Sequence, residues 1–386
     1  MKLKKICALA LVFNIFFGTN IFANEQPALN IDAKSALLME ASSGKILYEQ
    51  NSHEKLPPAS VTKVMTILLI YDAINEGKIK PEDMVTVSEH AANMGGSQIF
   101  LEPFEQQSVY DLLKSIVIAS ANDAAVTMAE HIGTSEENFV KMMNERAKTL
   151  GMNDTNFVNA CGLDTDGHET SAYDIALMSR ELITKYPQIF DLTKIWMDTI
   201  VHKTRRGETE FGLSNTNKLI KTYSGATGLK TGSTGKALYC ISATAQRDGM
   251  NLISVIMGAP NPATRFGEAA KLLDYGFANY QIAKGEPAGT IKGKVKIYKG
   301  DKEETDVAIK DEISTIVPKG NKNSIESNIE LTDALNAPVE KGTKAGEIIY
   351  SMNGKEIGRS ELITTQDIKK ATLGHIIKKL IQKWFA

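Results

Sequence analysis

Residues 57–70 read PPASVTKVMTILLI, and the architecture of the chain is organised around this stretch. Two prolines ahead of a long apolar run predict a helix start, because proline tolerates the first helical turn. On that helix Ser60 and Lys63 stand three residues apart and share a face. A serine hydroxyl is a poor nucleophile until a base removes its proton, and a desolvated lysine can be that base. The stretch predicts a covalent serine hydrolase that needs no histidine.

The Ser-x-x-Lys spacing alone carries little weight, because it recurs at 42–45, 52–55 and 233–236. Two further motifs strengthen it. Residues 120–122 (SAN) follow an apolar helical stretch, and residues 230–232 (KTG) lead into a segment typical of a buried strand. Serine β-lactamases and penicillin-binding proteins share this trio of motifs. All three occur here in that order and in the expected structural contexts.

Bulk composition excludes several classes of protein. The 386 residues suggest two domains, and a hydrophobic share of 42% provides a sizeable core. A net charge of −2 without a basic stripe argues against nucleic-acid binding. The six histidines are scattered and no His-Glu-x-x-His motif occurs, so we expect no metal and no cofactor.

The N-terminus predicts export. Three lysines within the first five residues precede the apolar run 6–17, and residues 21–23 are typical of a cleavage site, so we assign 1–23 to a signal peptide. A membrane anchor is the alternative, but an apolar core of about 12 residues is too short to span comfortably. Cys161 and Cys240 remain in the mature chain, and we favour two separate buried thiols over a single bridge.

Hydrophobic periodicity predicts an α+β domain over 24–280. Residues 33–48 indicate a hairpin, residues 60–190 look mainly helical, as in 126–150 and 171–182, and strands return after 238. A helical block inserted between strands from the two ends is an α+β layer arrangement. Residues 281–365 alternate in polarity and carry an Asn-Gly turn at 353–354, which predicts a small all-β domain.

The last segment, 366–386, has the pattern of an amphipathic membrane-anchoring helix with lysines on its polar face. A helix docked on its own domain is the alternative. The apolar residues assigned to one face are Ile368, Leu373, Ile376, Ile377, Leu380, Ile381, Trp384 and Phe385.

Over nearly its whole length the chain resembles the low-molecular-mass penicillin-binding proteins that act as D-alanyl-D-alanine carboxypeptidases. The segments 57–66, 120–125 and 162–174 carry this resemblance together with the KTG motif. It implies a penicillin-binding/β-lactamase-like fold, with an antiparallel sheet plus a helical block. It also implies that the substrate is the peptidoglycan stem pentapeptide and that β-lactams act as covalent inhibitors.

The resemblance further implies residue roles. Ser60 would form the acyl-enzyme, Lys63 would take its proton, and Ser120 would hydrogen-bond Lys63 and relay the proton to the leaving amine. Asn122 would hold the peptide backbone.

The KTG segment 230–233 would complete the site. Lys230 would add positive potential, Thr231 would bind the terminal carboxylate, and Gly232 would belong to the substrate-binding strand. The backbone N–H groups of Ser60 and Ser233 would form the oxyanion hole. Some relatives carry an arginine between two asparagines where this chain has 215–217 (NTN), so carboxylate binding must lean on Thr231 or another cation.

Three other functions fit the sequence less well. A class A β-lactamase needs a Glu-x-x-Leu-Asn signature, which does not occur between Ser120 and Lys230. An endopeptidase that cuts cross-links usually lacks the tail and the β-domain. A penicillin sensor that acylates and stops usually carries several spanning helices.

Overall fold

The structure, a computed structural model, describes residues 29–204, 207–320, 325–375, 377 and 384. The predicted signal peptide at 1–23 lies outside the described residues, as do residues 376, 378–383, 385 and 386 of the predicted tail helix.

One antiparallel sheet joins the two ends of the larger domain. Its strands, numbered in chain order, are β1 (Ser35–Glu40), β2 (Ile46–Gln50), β7 (Ala226–Thr234), β8 (Leu238–Arg247) and β9 (Met250–Ala259). Their order in the sheet is β2-β1-β9-β8-β7, so β7 lies at an edge. Asp248 and Gly249 take positive φ between β8 and β9, as a tight two-residue hairpin turn requires. The predicted α+β arrangement is confirmed.

Nine helices of the described chain surround this sheet. They are α1 (Lys63–Asn75), α2 (Glu89–Ala92), α3 (Val109–Ile118), α4 (Asn122–Gly133), α5 (Glu136–Thr149), α6 (Ala172–Lys185), α7 (Ile189–Thr193), α8 (Leu219–Thr222) and α9 (Pro262–Asn279). The stretch 126–150, predicted to be helical, consists of two helices, α4 and α5. Thr134 turns into the left-handed region after α4, and the Ser135 side chain then caps the start of α5.

The sheet is buried on both faces, because neighbouring residues of a strand point to opposite sides. Leu37 and Val255 belong to the core beneath the helical block. Leu38 and Leu252 lie against α9 at Gly276. Burial on both faces explains why β1 and β9 read as nearly continuous apolar runs rather than alternating ones.

Two two-stranded antiparallel sheets lie beside the helical block. They are β3 (Met84–Thr86) with β4 (Gln106–Ser108), and β5 (Met197–Thr204) with β6 (Gly207–Ser214). The buried residues Glu105 and His202, 2.8 Å apart between Oε1 and Nδ1, connect these two small sheets. Strand β6 leads directly into residues 215–217, which border the candidate site.

The C-terminal domain is all-β, as predicted. Its strands are β10 (Tyr280–Lys284), β11 (Ile291–Tyr298), β12 (Glu304–Ile309), β13 (Ser314–Pro318), β14 (Ile325–Leu331), β15 (Ala334–Asn336), β16 (Lys344–Met352) and β17 (Lys355–Thr364). Six of them form a sheet ordered β14-β16-β17-β12-β11-β15, and β10 pairs with β13. Asn353 and Gly354 form the predicted turn between β16 and β17, both with positive φ.

The boundary between this domain and the tail lies later than the sequence predicted. Ile368, assigned to the apolar face of the tail helix, is instead buried in the β-domain core and bridges to Val339. Lys370 bridges to Gly300 in the same way. A helical turn begins only at Leu373, where the His375 N–H contacts the Thr372 hydroxyl. The alternation of a β-edge and the spacing of a helix cannot be separated over so few residues.

Cys161 and Cys240 are both buried and unpaired, which confirms the expectation of two separate thiols.

Candidate active site

Ser60 and Lys63 meet at the N-terminal end of α1. Ser60 is partly exposed within a 3₁₀ helix, Ala59–Thr62, and Lys63 follows as the first residue of α1. The Lys63 Nζ lies 2.9 Å from the Ser60 Oγ. In the other Ser-x-x-Lys segments, by contrast, Ser42 and Ser52 donate to nearby glutamates. Ser60 is the serine of these motifs that the fold pairs with a lysine amine.

The Lys63 side chain is fully buried and has two further partners. Its Nζ lies 2.5 Å from the Asn122 Oδ1 and 2.7 Å from the backbone carbonyl of Cys161. Burial lowers the pKa of Lys63 to about 8, against the opposing pull of Cys161 and Asp123. A base with such a pKa is partly neutral near physiological pH, as proton abstraction requires.

The SAN motif contacts both buried lysines, but not with the partners that the resemblance implied. Ser120, held at a φ of 62°, accepts a hydrogen bond from the Lys230 Nζ at 2.8 Å. Asn122, not Ser120, contacts Lys63. The Asn122 amide also donates to the Gly95 carbonyl at 2.6 Å, so both of its polar atoms are engaged within the protein.

The KTG motif lies on the edge strand β7. Lys230 is buried, and burial, followed by the charges of Lys63 and Arg265, holds its pKa well below the usual value. The Thr231 hydroxyl donates to the Thr216 hydroxyl at 2.7 Å. Residues 215–217 therefore border the KTG strand, which agrees with the position that the family resemblance implied for them.

Gly232 allows the edge strand to pass directly over the nucleophile. A Cβ at this position would lie 2.7 Å from the Ser60 nitrogen and 2.9 Å from the Val61 nitrogen, closer than real Cβ contacts. Ser233 follows and is exposed. The backbone of β7 at Gly232 therefore passes beside the backbone nitrogen of Ser60.

The segment 159–163 packs against the 3₁₀ helix and contacts Lys63, although no role was predicted for these residues from the sequence. Gly162, at a φ of 88°, packs so closely that a Cβ would lie 1.9 Å from the Ala59 carbonyl oxygen. The Asn159 Oδ1 accepts the Gly162 N–H at 2.7 Å and holds this turn in place. A backbone carbonyl such as that of Cys161 has no side-chain signature, so sequence patterns could not identify it.

His168 is a structural histidine rather than a second base. Its Nδ1 accepts the Val158 N–H at 2.9 Å, so its Nε2 carries the hydrogen and donates to the Thr62 Oγ1 at 2.8 Å. Burial lowers its pKa to about 4, against a weaker opposing effect of Asp164. The neutral ring joins the 3₁₀ helix to the neighbouring loop. Across the described ranges, no cluster of three or more acidic, histidine or cysteine residues could hold a metal ion.

Comparisons with known proteins agree with this geometry. Residues 20–261 match the family model of D-alanyl-D-alanine carboxypeptidase, peptidase S11, and residues 280–370 match that of the penicillin-binding protein 5 C-terminal domain. The chain is 43% identical to D-alanyl-D-alanine carboxypeptidase DacF of Bacillus subtilis over 92% of this chain and 90% of that protein.

Solved structures give the same result. Penicillin-binding protein 5 of Haemophilus influenzae superposes with a TM-score of 0.74 at 33% identity, covering 88% of this chain and 98% of that one. Penicillin-binding protein D2 of Listeria monocytogenes, solved in an ampicillin-bound form, has a TM-score of 0.55 at 33% identity and covers 65% of this chain and 100% of its own. On these matches, which span both domains, the chain belongs to the D-alanyl-D-alanine carboxypeptidase family, peptidase S11.

Proposed function

We propose that this protein is a serine-type D-alanyl-D-alanine carboxypeptidase. It removes the terminal D-alanine from peptidoglycan stem pentapeptides and thereby limits cross-linking during cell wall biogenesis. The observation that carries the proposal is the buried Lys63 amine, 2.9 Å from a partly exposed Ser60 hydroxyl. Family membership narrows the substrate to a peptide that ends in two D-alanines.

The contacts of Lys63 explain how it acts as the base. A neutral amine has two N–H groups and one lone pair. The Asn122 Oδ1 and the Cys161 carbonyl are pure acceptors, so they take the two N–H groups. The lone pair is then left for the Ser60 O–H. Lys63 removes this proton as the Ser60 Oγ attacks the carbonyl carbon between the two D-alanines, and the acyl-enzyme forms.

The leaving amine needs a proton, which Ser120 gives from its hydroxyl while the Lys230 ammonium gives Ser120 a proton in return. The Lys230 Nζ donates to the Ser120 Oγ at 2.8 Å, which leaves the Ser120 hydroxyl hydrogen free to point at the substrate nitrogen. The N–H groups of Ser60 and Ser233 stabilise the tetrahedral oxyanion, at ~3 kcal/mol per donor. Water then attacks the ester and gives one proton through Ser120 to Lys230. The Lys63 ammonium returns its proton to the departing Ser60 Oγ, so the shortened peptide leaves and both lysines regain their starting states.

Two hydroxyls define the subsite for the terminal carboxylate. Without substrate, the Thr231 hydroxyl donates to the Thr216 hydroxyl at 2.7 Å, and this contact orients the Thr231 side chain. When substrate binds, the Thr231 hydroxyl turns to donate to the terminal carboxylate. Asn122 is expected to keep its internal contacts and to act chiefly by orienting Lys63.

β-Lactams are expected to acylate the same serine, because the lactam amide takes the place of the D-Ala-D-Ala amide. The solved Listeria relative in its ampicillin-bound form supports this reading of the site.

The first test is mass spectrometry of the protein incubated with diacetyl-Lys-D-Ala-D-Ala. We expect loss of one D-alanine, and we expect Ser60→Ala to abolish both this reaction and covalent penicillin labelling. Penicillin labelling of the Ser60→Ala variant would refute the assignment of Ser60 as the nucleophile. If the peptide stays intact while penicillin still labels Ser60, the protein is an endopeptidase or a sensor. An endopeptidase would cleave cross-linked peptide dimers, whereas a sensor would not.

We also propose that the protein is exported by residues 1–23 and attaches to the outer face of the membrane through its tail. The described part of the chain contains no helix with the length and hydropathy to cross a bilayer. In the tail, Leu373, Ile377 and Trp384 are 77%, 51% and 88% exposed. Spacings of four and seven residues place them on one helical face, which suits peripheral binding in the interface.

Truncation tests this attachment. Removal of residues 372–386, which keeps Ile368 in the β-domain, should leave peptidase activity intact and abolish co-sedimentation with anionic lipid vesicles. Continued co-sedimentation of the truncated protein would show that another surface binds the membrane.

A further inference from the structure

Arg265 is a buried cation beside the site for which the proposed mechanism has no use. It lies in the first turn of α9 and is 7% exposed. Its guanidinium stacks 4.4 Å from the ring centre of Phe266. Within the described residues no carboxylate forms an ion pair with it, and its Nε has no hydrogen-bond partner. An unpaired buried cation is costly, so its position needs a functional explanation.

The hydrogen bond that Arg265 makes leads directly to the reacting groups. Its Nη1 donates to the Gly232 carbonyl at 3.2 Å. Gly232 is the residue whose Cα passes over the Ser60 nitrogen, closer than any side chain would allow. Arg265 therefore holds the strand at the point where it meets the nucleophile.

The planar trans peptide transmits this hydrogen bond to the neighbouring amide. In a trans peptide the C=O and the N–H point in opposite directions. A Gly232 carbonyl drawn toward Arg265 turns the Ser233 N–H away from α9. Strand β7 is a sheet edge, so the amides on its outer side face the cleft rather than another strand.

The geometry points to Arg265 as a positioning residue that sets the oxyanion hole. It fixes the plane of the Gly232–Ser233 peptide, so that the Ser233 N–H and the Ser60 N–H converge on one oxygen. This inference rests on the proposed roles of Ser60 and Ser233. The stacking on Phe266 keeps the guanidinium in place without a carboxylate, which leaves its positive charge to favour the developing oxyanion.

The test compares three variants in hydrolysis of diacetyl-Lys-D-Ala-D-Ala. Arg265→Met removes the donors and keeps an apolar side chain, whereas Arg265→Lys retains a donor and the charge. Arg247→Met is the matched control, because Arg247 also donates to a backbone carbonyl, that of Ser224, and stacks on aromatic rings away from the site. Thermal melting of each variant reports its folding.

We expect Arg265→Met to lower kcat by ~10–100-fold with KM nearly unchanged, because oxyanion donors act in the transition state. Arg265→Lys should recover part of that loss, and Arg247→Met should keep the wild-type kcat. If Arg265→Met does not fold, a smaller loss confined to kcat in Arg265→Lys supports the same conclusion.

Other results would overturn the inference. A loss that appears mainly in KM would make Arg265 a binder of the substrate carboxylate. Wild-type kcat in both Arg265 variants, or in Arg265→Lys alone where the Met variant does not fold, would make it a packing residue. The proposed function itself fails only if the wild-type protein releases no D-alanine, so the two failures are distinguishable.

Discussion

Acylation of Ser60 should depend steeply on pH, because only the neutral form of Lys63 accepts the serine proton. Burial holds the Lys63 pKa at about 8 rather than 10.5. Below this pKa the amine is an ammonium, so the rate falls as pH falls and levels off above it. With a pKa of about 8, the neutral fraction rises from ~1% at pH 6 to ~50% at pH 8. We therefore expect acylation to accelerate about 50-fold over that interval.

The same arithmetic gives a measure of what burial contributes. An exposed lysine would be ~0.03% neutral at pH 7, whereas Lys63 is ~10% neutral, a gain of about 300-fold in active base. His168 does not titrate in this window, because its pKa is held at about 4.

The assay is rapid mixing with benzylpenicillin, acid quenching, and mass measurement of the Ser60 adduct from about pH 6 to about pH 10. Thermal melts across the same range exclude unfolding as the cause, and Ser60→Ala gives the background. A rate that stays flat between pH 6 and pH 8, or that keeps rising to about pH 10.5 like an exposed lysine, would refute the proposed environment of Lys63.

Two further changes test the surroundings of the site and the domain boundary. Gly162→Ala should abolish acylation, because its Cβ would lie 1.9 Å from the Ala59 carbonyl oxygen. Gly151 is the control, because it also has a positive φ but has open space around it. Gly151→Ala should cost only ~1 kcal/mol of stability and leave the acylation rate unchanged. Equal acylation by the two variants would contradict the close packing. Ile368→Ala should destabilise the β-domain by ~2–5 kcal/mol in denaturant unfolding, while Leu373→Ala should have almost no effect because Leu373 is exposed. Similar losses from both would show that the tail packs on the domain.

Local patterns predicted most elements of the fold. The all-β domain, the hairpin turn at 353–354 and the α+β layering followed from periodicity and turn chemistry. Periodicity does not show where a helical stretch is interrupted. The helical pattern of 126–150 continues through Thr134, yet the chain turns there, and the Ser135 cap was the signal in the sequence that could have found it.

Ile368 is a residue whose environment the sequence predicted wrongly. Its spacing fits the apolar face of the tail, but it is buried against Val339 of the β-domain. A single apolar residue fits two environments, and the choice depends on which surface lies nearby in the folded chain. Sequence spacing carries no information about that surface.

The sequence by itself determined the reactive pair and the order of the three motifs. Ser60 and Lys63 lie within one helical turn, so chain geometry alone brings them together. Only the tertiary structure decided how the two lysines share the site. Lys63 is paired with Asn122 and with the Cys161 carbonyl, Ser120 is paired with Lys230, and the Arg265 side chain reaches the edge strand from α9. These contacts join residues from 33 to 110 positions apart, and two of them end on backbone carbonyls. Local sequence spacing does not determine these contacts, because the packing of distant elements sets both the burial and the partners of each polar group.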